Sequence, residues 1–417
     1  MKILFLAHRI PYPPNKGDKI RSFNEIKYLS QNHEIHLACL ADDLNDLKYT
    51  KNLKKYCKIV NIIPLKLKTA KFKTIFSLLN KKPLSVSYFY SKRLQKIINH
   101  LLSTNNYDAI ICFSSSMAEY IFRSIVHGQW LLVRNNKPSP NNQRLSTKLI
   151  MDFVDIDSDK WKQYAEHVRP PFSLIYKLES NRLAQYERKV AKIFHYSIFV
   201  SKKEAELFYM QNPDIDNILA IPNGVDFDYF NPYQLLANNQ QLASNHPILL
   251  FTGAMDYYAN VDGVIWFCKK IFPYLIKKYP KLKFYIVGRN PTSAIKKLVN
   301  SNIIITGYVD DIRPYYQIAT VYIAPLRIAR GIQNKILEAM AMAKPVISTS
   351  KAFEGIEATP NKDLLLADSE KEFIEKITML LKNPEKRKSL EISARQTVEK
   401  NYSWQYNLKI LEEILAS

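Results

Sequence analysis

Residues 320–350 read TVYIAPLRIARGIQNKILEAMAMAKPVISTS and hold two apolar runs of strand length on either side of an apolar helical pattern. The runs at 320–326 and 344–350 are rich in apolar residues, as expected of parallel strands that are buried on both faces. Gly331 lies between the first run and the helix, where freedom in φ allows a tight turn. The stretch therefore predicts one strand–helix–strand unit of a parallel sheet.

The same alternation recurs along the chain and divides it into two halves. The first half contains the runs KILFLAHRI, EIHLACLAD, KIVNIIPL, DAIICFSS, KLIMDFVDI, YSIFVS and NILAIPNG. The second half contains PILLFTG, KFYIVGR, NIIITGY, TVYIAPL, KPVISTS and DLLLAD. These patterns predict an α/β protein with two Rossmann-like, doubly wound parallel sheets.

We place the first domain at 1–230 and the second at 247–400, with the polar stretch 231–246 as a linker. A helix at about 401–417 can pack back on the first domain, and the polar stretch 128–148 is interpreted as a loop insertion. No run of about 18 apolar residues occurs, so no membrane-spanning helix is expected. The four cysteines lack C-x-x-C spacing, which favours reduced thiols in a cytoplasmic protein.

The net charge of +22 is unevenly distributed. Between Leu47 and Tyr107 there are fourteen Lys or Arg residues and no acidic residue. This concentration of positive charge favours an anionic partner, namely lipid headgroups, nucleic acid or a phosphorylated substrate. The alternative is a lysine-rich surface that is merely solvated. The stretch 72–79 places apolar residues on one helical face, as in a helix lying in a membrane interface. Alternatively, this face packs on the first sheet.

Two common nucleotide-binding fingerprints are missing. Neither G-x-G-x-x-G nor G-x-x-x-x-G-K-[ST] follows any predicted strand, which argues against hydride transfer and ATP hydrolysis. Only nine glycines occur, and five of them follow strand-like runs in the second half. Ligands of such sheets bind beyond the carboxyl ends of the strands, so these glycines indicate the rim of a binding crevice.

The helix after Gly331 carries two charged residues that need an explanation. Asn334 is a plausible N-cap, and the free N–H groups of the first turn form an anion site. Lys335 opposes the helix dipole there, a small cost that a bound phosphate offsets. Glu338 lies in an otherwise apolar helix and needs a hydrogen-bonding partner, for which a ribose diol is suitable. An ordinary glutamate near a helix start is the alternative.

The stretch 336–341, ILEAMA, followed by Pro345-Val346 resembles the signature of the retaining glycosyltransferase family 4, whose enzymes have the GT-B fold. Asn223-Gly224-Val225-Asp226, Thr252-Gly253 and Gly307-Tyr308-Val309-Asp310 are further family-like elements. The stretches RIPYPPNKGDKIRSFN, DFVDIDSDKW and APLRIARGIQNKILEAMAM are similar to the exopolysaccharide-associated branch linked to PEP-CTERM/exosortase systems.

The resemblance implies transfer of a sugar from a nucleotide-diphosphate donor, with retention of configuration, in a cleft between the two domains. It implies neither a cofactor nor a metal. The donor-binding residues that it implies are Glu338, Gly331, Ile332, Gln333, Asn334, Gly253, Tyr308 and Val309. Arg330 occupies the position of the family's first glutamate, and the loop after Gly253 lacks the usual cations. Lys335, Arg327 and Arg330 are therefore the candidate catalytic cations.

In the first domain, Gly17, Asp18 and Arg21 resemble the family's glycine loop, which faces the donor phosphates and the acceptor. A helix start without such a role is the alternative. Asp155 and Asp157 form a D-x-D pattern at a strand end. This pattern is compatible with a metal site, an acceptor contact or capping of the next helix, and we assign Asp155 to the acceptor.

The branch resemblance implies a saccharide or lipid-linked acceptor and an enzyme that binds peripherally to the inner face of the cytoplasmic membrane. A non-hydrolysing nucleotide-sugar epimerase shares the two-sheet architecture and is one alternative. A basic protein that binds nucleic acid or membranes without catalysis is another. No recognised nucleic-acid reader motif occurs, so no nucleic-acid partner is expected.

Overall fold

The computed structural model describes residues 1–65, 74, 82–126, 147–234, 246–329 and 331–417. The chain forms two compact units, the first with residues Met1–Ile221 and Leu408–Ser417 and the second with residues Pro222–Asn407. The C-terminal residues thus belong to the first unit. Most of the predicted 128–148 insertion and 231–246 linker lies outside the described residues, as does nearly all of the predicted interfacial helix at 72–79.

The described part of the first unit contains one parallel sheet of seven strands in the order β3-β2-β1-β4-β5-β6-β7. The strands are β1 (Lys2–Ala7), β2 (Glu34–Ala41), β3 (Ile59–Pro64), β4 (Ala109–Phe113), β5 (Lys148–Val154), β6 (Tyr196–Phe199) and β7 (Ile218–Ala220). Each was present in the predicted set. The five residues of β4 are all buried, which explains why its sequence is an uninterrupted apolar run.

Helices connect these strands and cover the sheet. They are α1 (Gly17–Leu29), α2 (Thr50–Leu53), α3 (Leu84–Tyr88), α4 (Lys92–Thr104), α5 (Ala118–Val126), α6 (Asp157–His167), α7 (Phe172–Ile193) and α8 (Lys202–Gln211). Short 3₁₀ turns occupy Leu44–Tyr49 and Ser115–Met117. The core lies between sheet and helices and includes Leu4, Ile98, Ile110, Met151 and Val190.

The second unit has a parallel sheet of six strands in its described residues, in the order β10-β9-β8-β11-β12-β13. The strands are β8 (Ile248–Thr252), β9 (Lys283–Val287), β10 (Ile303–Gly307), β11 (Val321–Ala324), β12 (Val346–Ser348) and β13 (Leu365–Leu366). The order changes direction at β8, so the loops after β8 and β11 flank the place where ligands of open parallel sheets bind.

The helices of the second unit are α9 (Tyr258–Trp266), α10 (Phe272–Lys278), α11 (Ser293–Lys296), α12 (Arg313–Ile318), α13 (Asn334–Ala341), α14 (Ser350–Phe353), α15 (Glu370–Lys382), α16 (Pro384–Asn401) and α17 (Trp404–Asn407). A π-helical turn, Phe267–Ile271, joins α9 to α10. The last helix, α18 (Lys409–Ala416), belongs to the first unit. Within the described residues, we find no helix that is long and apolar enough to cross a membrane.

The predicted fold class of two doubly wound parallel sheets is confirmed. The prediction that Asn334 is the N-cap was wrong. Asn334 is the first residue of α13, and the N-cap position is Gln333, whose side chain makes no capping hydrogen bond. The side chain of Asn334 instead accepts a hydrogen bond of 2.8 Å from the Asn223 amide. A polar side chain at a helix start can find a partner in a distant segment, which sequence spacing does not reveal.

Candidate functional site

The stretch from Gly331 to α13 is held at the carboxyl end of β11. Gly331 has φ 61°, a left-handed conformation that favours glycine. The buried face of α13 consists of Ile336, Leu337, Ala339, Met340 and Ala341. Because residues three apart share a helical face, Lys335 and Glu338 lie side by side on the partly buried remainder of the helix.

The ammonium group of Lys335 has three close neighbours, all near the carboxyl end of β8. Its Nζ donates a hydrogen bond of 2.5 Å to Oδ1 of Asn260 and lies 4.9 Å from the centre of the Phe251 ring. A Cβ atom at Gly253 would lie 3.1 Å from the same Nζ. Burial lowers the pKa of Lys335 to about 8, and the nearby Glu338 carboxylate offsets part of that effect.

Glu338 ends a chain of buried hydroxyl groups. The Tyr316 hydroxyl lies 3.2 Å from Oε2 of Glu338 and donates to it, and it also lies 3.0 Å from Oγ1 of Thr252. That threonine oxygen is in turn 3.0 Å from the hydroxyl of Tyr322. Burial raises the pKa of Glu338 to about 7, against the opposing effects of the Tyr316 hydrogen bond and Lys335. This network fixes the Glu338 carboxyl group through the hydrogen bond that its Oε2 atom accepts from Tyr316.

Asn260 and Tyr316 were missed by the sequence reasoning. Asn260 is 3 % exposed, although it lies in the apolar helix α9, and its Nδ2 donates to the Ala254 carbonyl at 2.9 Å. A lone amide inside an apolar helix was the available signal, because a buried polar group needs partners. No comparable signal marked Tyr316, one of many tyrosines in the chain.

The other candidate cations differ from Lys335. Arg327 forms a two-point ion pair with Asp262, with Nε–Oδ2 at 2.9 Å and Nη2–Oδ1 at 2.5 Å, and stacks 5.7 Å from the Trp266 ring. Its side chain is half exposed. Arg330 lies outside the described residues. Of the two candidate catalytic cations that the structure describes, Lys335 is the one placed next to Glu338.

The remaining donor-binding candidates also follow strands of the second unit's sheet. Ile332 is buried, and Gln333 supplies the N-cap position of α13. Tyr308 and Val309 follow β10, and the Tyr308 side chain is largely exposed. The carboxyl ends of parallel strands share one edge of a sheet, so Gly253, Tyr308, Val309 and the start of α13 lie along the same edge.

In the first unit, Gly17 begins α1 and Asp18 lies in its first turn. Asp18 accepts a 2.6 Å hydrogen bond from Arg9 and lies 3.2 Å from Nε2 of His8. These partners hold the pKa of Asp18 well below its usual value, although burial acts in the opposite direction. The aspartate is therefore an ionised carboxylate in the first turn of α1, held by two residues that directly follow β1, and its acceptor role stays a prediction.

Arg21 is fully buried, which corrects its assignment to the phosphate loop. Its Nε lies 2.7 Å from Asp152 and 3.1 Å from Glu25, and its Nη1 donates to the Ile221 carbonyl at 2.8 Å. Burial next to Asp152 also raises the pKa of Glu25 well above its usual value. An arginine buried between two carboxyl groups is inaccessible to a phosphate, and removing either partner would leave a buried charge unpaired.

Asp155 follows β5, just after Val154, whose φ of 68° is rare for a β-branched residue. Asp157 is the first residue of α6 and forms an ion pair of 3.1 Å with Lys160. In the described residues no group of three or more His, Cys, Asp or Glu side chains is arranged to hold a metal ion. The acceptor contact that we predicted for Asp155 stays a prediction.

Comparison with known proteins shows which family the segment around this edge of the sheet resembles. Residues 246–383 match the family described as "Glycosyl transferases group 1". The match contains β8, α13 and thus Gly253, Lys335 and Glu338. The protein is a glycosyltransferase of GT-B fold.

Other relatives match along nearly the whole chain. An "uncharacterized 44.6 kDa protein in cps region" of Klebsiella pneumoniae is 24% identical over 413 residues, which cover 96% of each chain. Anabaena HepE, solved in complex with UDP and glucose, has a TM-score of 0.69 at 16% identity, with full coverage of both chains. Sucrose-phosphate synthase from Thermosynechococcus elongatus has a TM-score of 0.71 at 14% identity, covering 99% of this glycosyltransferase and 98% of that chain.

Proposed function

We propose that this glycosyltransferase moves a sugar from a nucleotide-diphosphate donor to a saccharide acceptor with retention of the anomeric configuration, as in family 4. The observation that carries the proposal is the placement of Lys335 beside Glu338 on α13, with the Lys335 Nζ atom against Gly253, inside the segment that matches the glycosyltransferase family. The structural relative HepE binds UDP and glucose, which supports a nucleotide-sugar donor.

In this proposal the donor ribose binds Glu338 and the diphosphate binds near Lys335. A carboxylate fixed by Tyr316 accepts hydrogen bonds from the two ribose hydroxyls without having to reorient. The Lys335 ammonium, held by Asn260, is aimed at the position where the diphosphate meets the first turn of α13. The N–H groups of that turn add fixed partial positive charge.

The chemical step follows from these positions. The bond between the anomeric carbon and the diphosphate oxygen breaks, and a bond from the acceptor hydroxyl oxygen to that carbon forms on the same face. The acceptor proton passes to the departing phosphate oxygen. Negative charge gathers on the diphosphate as the bond breaks, and preorganised cations and N–H groups there lower the barrier.

We further propose that the acceptor is lipid-linked, that the product is an exopolysaccharide or another cell-surface glycan, and that the enzyme works at the inner face of the cytoplasmic membrane. The relative from the Klebsiella pneumoniae cps region supports the glycan assignment. The acid-free stretch between Leu47 and Tyr107 supports binding to an anionic surface.

Among the described residues, the first unit has an exposed surface suited to binding an anionic membrane. Helices α6 and α7 form a hairpin, and its tip, residues 168–178, exposes Phe172 (59 %), Leu174 (63 %) and Leu178 (37 %). Arg169 and Lys177 are exposed among these apolar side chains. Apolar side chains that enter the interface, surrounded by cations that meet anionic headgroups, are the features of a membrane-surface site.

Two acidic residues lie next to this tip, and Glu166 is exposed whereas Glu179 does not oppose the positive charge. Glu179 is fully buried and accepts hydrogen bonds from the backbone N–H groups of Leu84 (2.5 Å) and Ser85 (2.9 Å). The tip itself therefore presents the cations of Arg169 and Lys177 to the surroundings.

The experiment is a transfer assay preceded by a thermal-shift screen of UDP-, GDP-, ADP-, CDP- and dTDP-sugars. We expect one donor class to raise the melting temperature, since a ligand that binds only the folded state stabilises it. That donor should then yield a glycoside of unchanged anomeric configuration when saccharide or lipid-linked acceptors are added. An inverted product, or epimerised nucleotide sugar formed without any acceptor, would contradict the proposal.

A further inference from the structure

Arg289, the second residue after β9, has an unsatisfied buried nitrogen. Its side chain is partly buried, and its Nη2 finds no hydrogen-bond partner among the residues that the structure describes. No ion pair of this arginine occurs within those residues either. A guanidinium group is charged at all accessible pH values, and a buried N–H without an acceptor costs free energy. Such a group in a native protein calls for a missing partner.

The loop that carries Arg289 packs directly on the loop that carries Gly253. The Met255 N–H donates to the Arg289 carbonyl at 2.8 Å, and the Asn290 amide donates to Asp256 at 2.9 Å. The two backbones approach so closely that a Cβ at Gly288 would lie 1.7 Å from the Gly253 carbonyl oxygen. Arg289 is thereby tied to the strand end that also contacts Lys335.

The loop after β8 also has too few positive charges to balance an anionic ligand. Residues 254–262 contain Asp256 and Asp262 but no lysine or arginine. Asp262 already holds Arg327 in a two-point ion pair. Among the described residues, Lys335 is then the cation that lies against Gly253. The departing diphosphate carries more negative charge in the transition state than one cation can balance.

We propose that the Arg289 guanidinium binds the diphosphate of the donor and replaces the cations that the loop after β8 lacks. This inference rests on the proposed function, because it needs a nucleotide-diphosphate donor at this edge of the sheet. A planar guanidinium forms two parallel hydrogen bonds with phosphate oxygens, which gives the unsatisfied nitrogen its acceptor. The donor is thus held by one cation from the loop after β9 and by another from the first turn of α13.

Calorimetric titration tests the inference with UDP, GDP, ADP, CDP and dTDP and with the nucleoside of whichever diphosphate the unmodified enzyme binds best. Arg289→Ala should weaken binding of that diphosphate at least tenfold, while nucleoside affinity changes by less than about twofold. Arg289→Lys keeps a cation without the planar fork and should give an intermediate loss. Lys297→Ala, which removes an exposed cation a few residues downstream, is the matched control and should change neither affinity.

The outcomes separate the inference from the proposed function. Unchanged diphosphate affinity in Arg289→Ala, with normal binding by the unmodified enzyme, would overturn the role of Arg289 alone. An equal loss for diphosphate and nucleoside would overturn the phosphate contact. Absence of nucleotide binding by the unmodified enzyme would overturn both. Circular dichroism and the melting temperature of each variant show that a loss of affinity is not a loss of fold.

Discussion

The Nζ atom of Lys335 lies 2.5 Å from Oδ1 of Asn260, and this hydrogen bond joins the first turn of α13 to helix α9. The Asn260 amide is itself fixed by the Ala254 carbonyl, so the ammonium group is held from the β8 side of the sheet edge. A lysine side chain normally samples many rotamers, and ordering it costs side-chain entropy. Here that cost is met on folding, before a donor arrives.

We therefore expect Lys335→Met to reduce turnover by about 100- to 1000-fold, because a preorganised charge at the developing diphosphate is lost. Affinity for the nucleoside alone should stay nearly constant. Steady-state transfer rates and nucleoside titrations measure the two quantities. Asn260→Ala, which keeps the cation and removes its support, should give a smaller loss. Transfer by Lys335→Met at the normal rate would show that other residues handle the phosphate charge.

Glu338→Gln should weaken binding of the donor nucleotide by about 10- to 100-fold, the typical effect of losing a hydrogen bond to a charged group. The 2′-deoxy nucleotide is the matched probe, since it lacks one of the ribose hydroxyls. We expect the substitution to cost much less for this analogue than for the ribonucleotide. Equal losses for both ligands in calorimetry would count against a ribose contact.

The pKa of Glu338 gives a prediction for stability. Burial raises this pKa from 4.5 to about 7, so within that window the folded state binds more protons than the unfolded state. The contribution of Glu338 to the free energy of unfolding therefore falls as the pH rises from about 4.5 to about 7. Urea denaturation of the unmodified enzyme and of Glu338→Gln across this range measures the effect. The difference between the two proteins should change with pH, and parallel curves would refute the assignment.

Gly253→Ala tests the close packing around the lysine. The new Cβ would lie 2.7 Å from Nδ2 of Asn260 and 3.1 Å from Nζ of Lys335, at a backbone φ of +152°. Gly307→Ala is the matched control, because φ there is +71° and no atom lies within 4 Å of the added Cβ. We expect the control to lose about 1–2 kcal/mol from backbone strain alone. Gly253→Ala should lose more in chemical denaturation and should also reduce turnover; equal losses would contradict the packing argument.

The hairpin tip predicts co-sedimentation with vesicles that contain anionic lipid. Each cation near such a surface contributes about 1 kcal/mol, and added salt should release the enzyme. The double variant Phe172→Ser, Leu174→Ser should pellet less than the unmodified enzyme. Met210→Ser alters an apolar side chain that is 71 % exposed elsewhere in the first unit and should have no effect. Equal binding to neutral and anionic vesicles, or a loss shared by both variants, would reject the tip as the membrane contact.

Both sheets could be predicted because strands buried on two faces leave almost uninterrupted apolar runs in the sequence. The run IVNIIP became β3 and ILLFT became β8, each within a residue or two of the predicted stretch. Glu338 was found for a related reason: a carboxylate in an apolar helix conflicts with its surroundings unless it has a partner. Local sequence carries these signals because strand and helix periodicity act over a few residues.

The sequence by itself thus determined the parallel α/β architecture and the charged pair of α13. Only the tertiary structure decided which charges are available to a ligand. Arg21 and Arg327 looked like phosphate cations, yet the fold buries one between Asp152 and Glu25 and pairs the other with Asp262. Nothing in the local sequence marks Arg289 as a site residue, yet its Nη2 has no hydrogen-bond partner among the described residues. The reason is that partners come from residues far apart in the chain, and no local pattern records which carboxylates the packing brings to which cation.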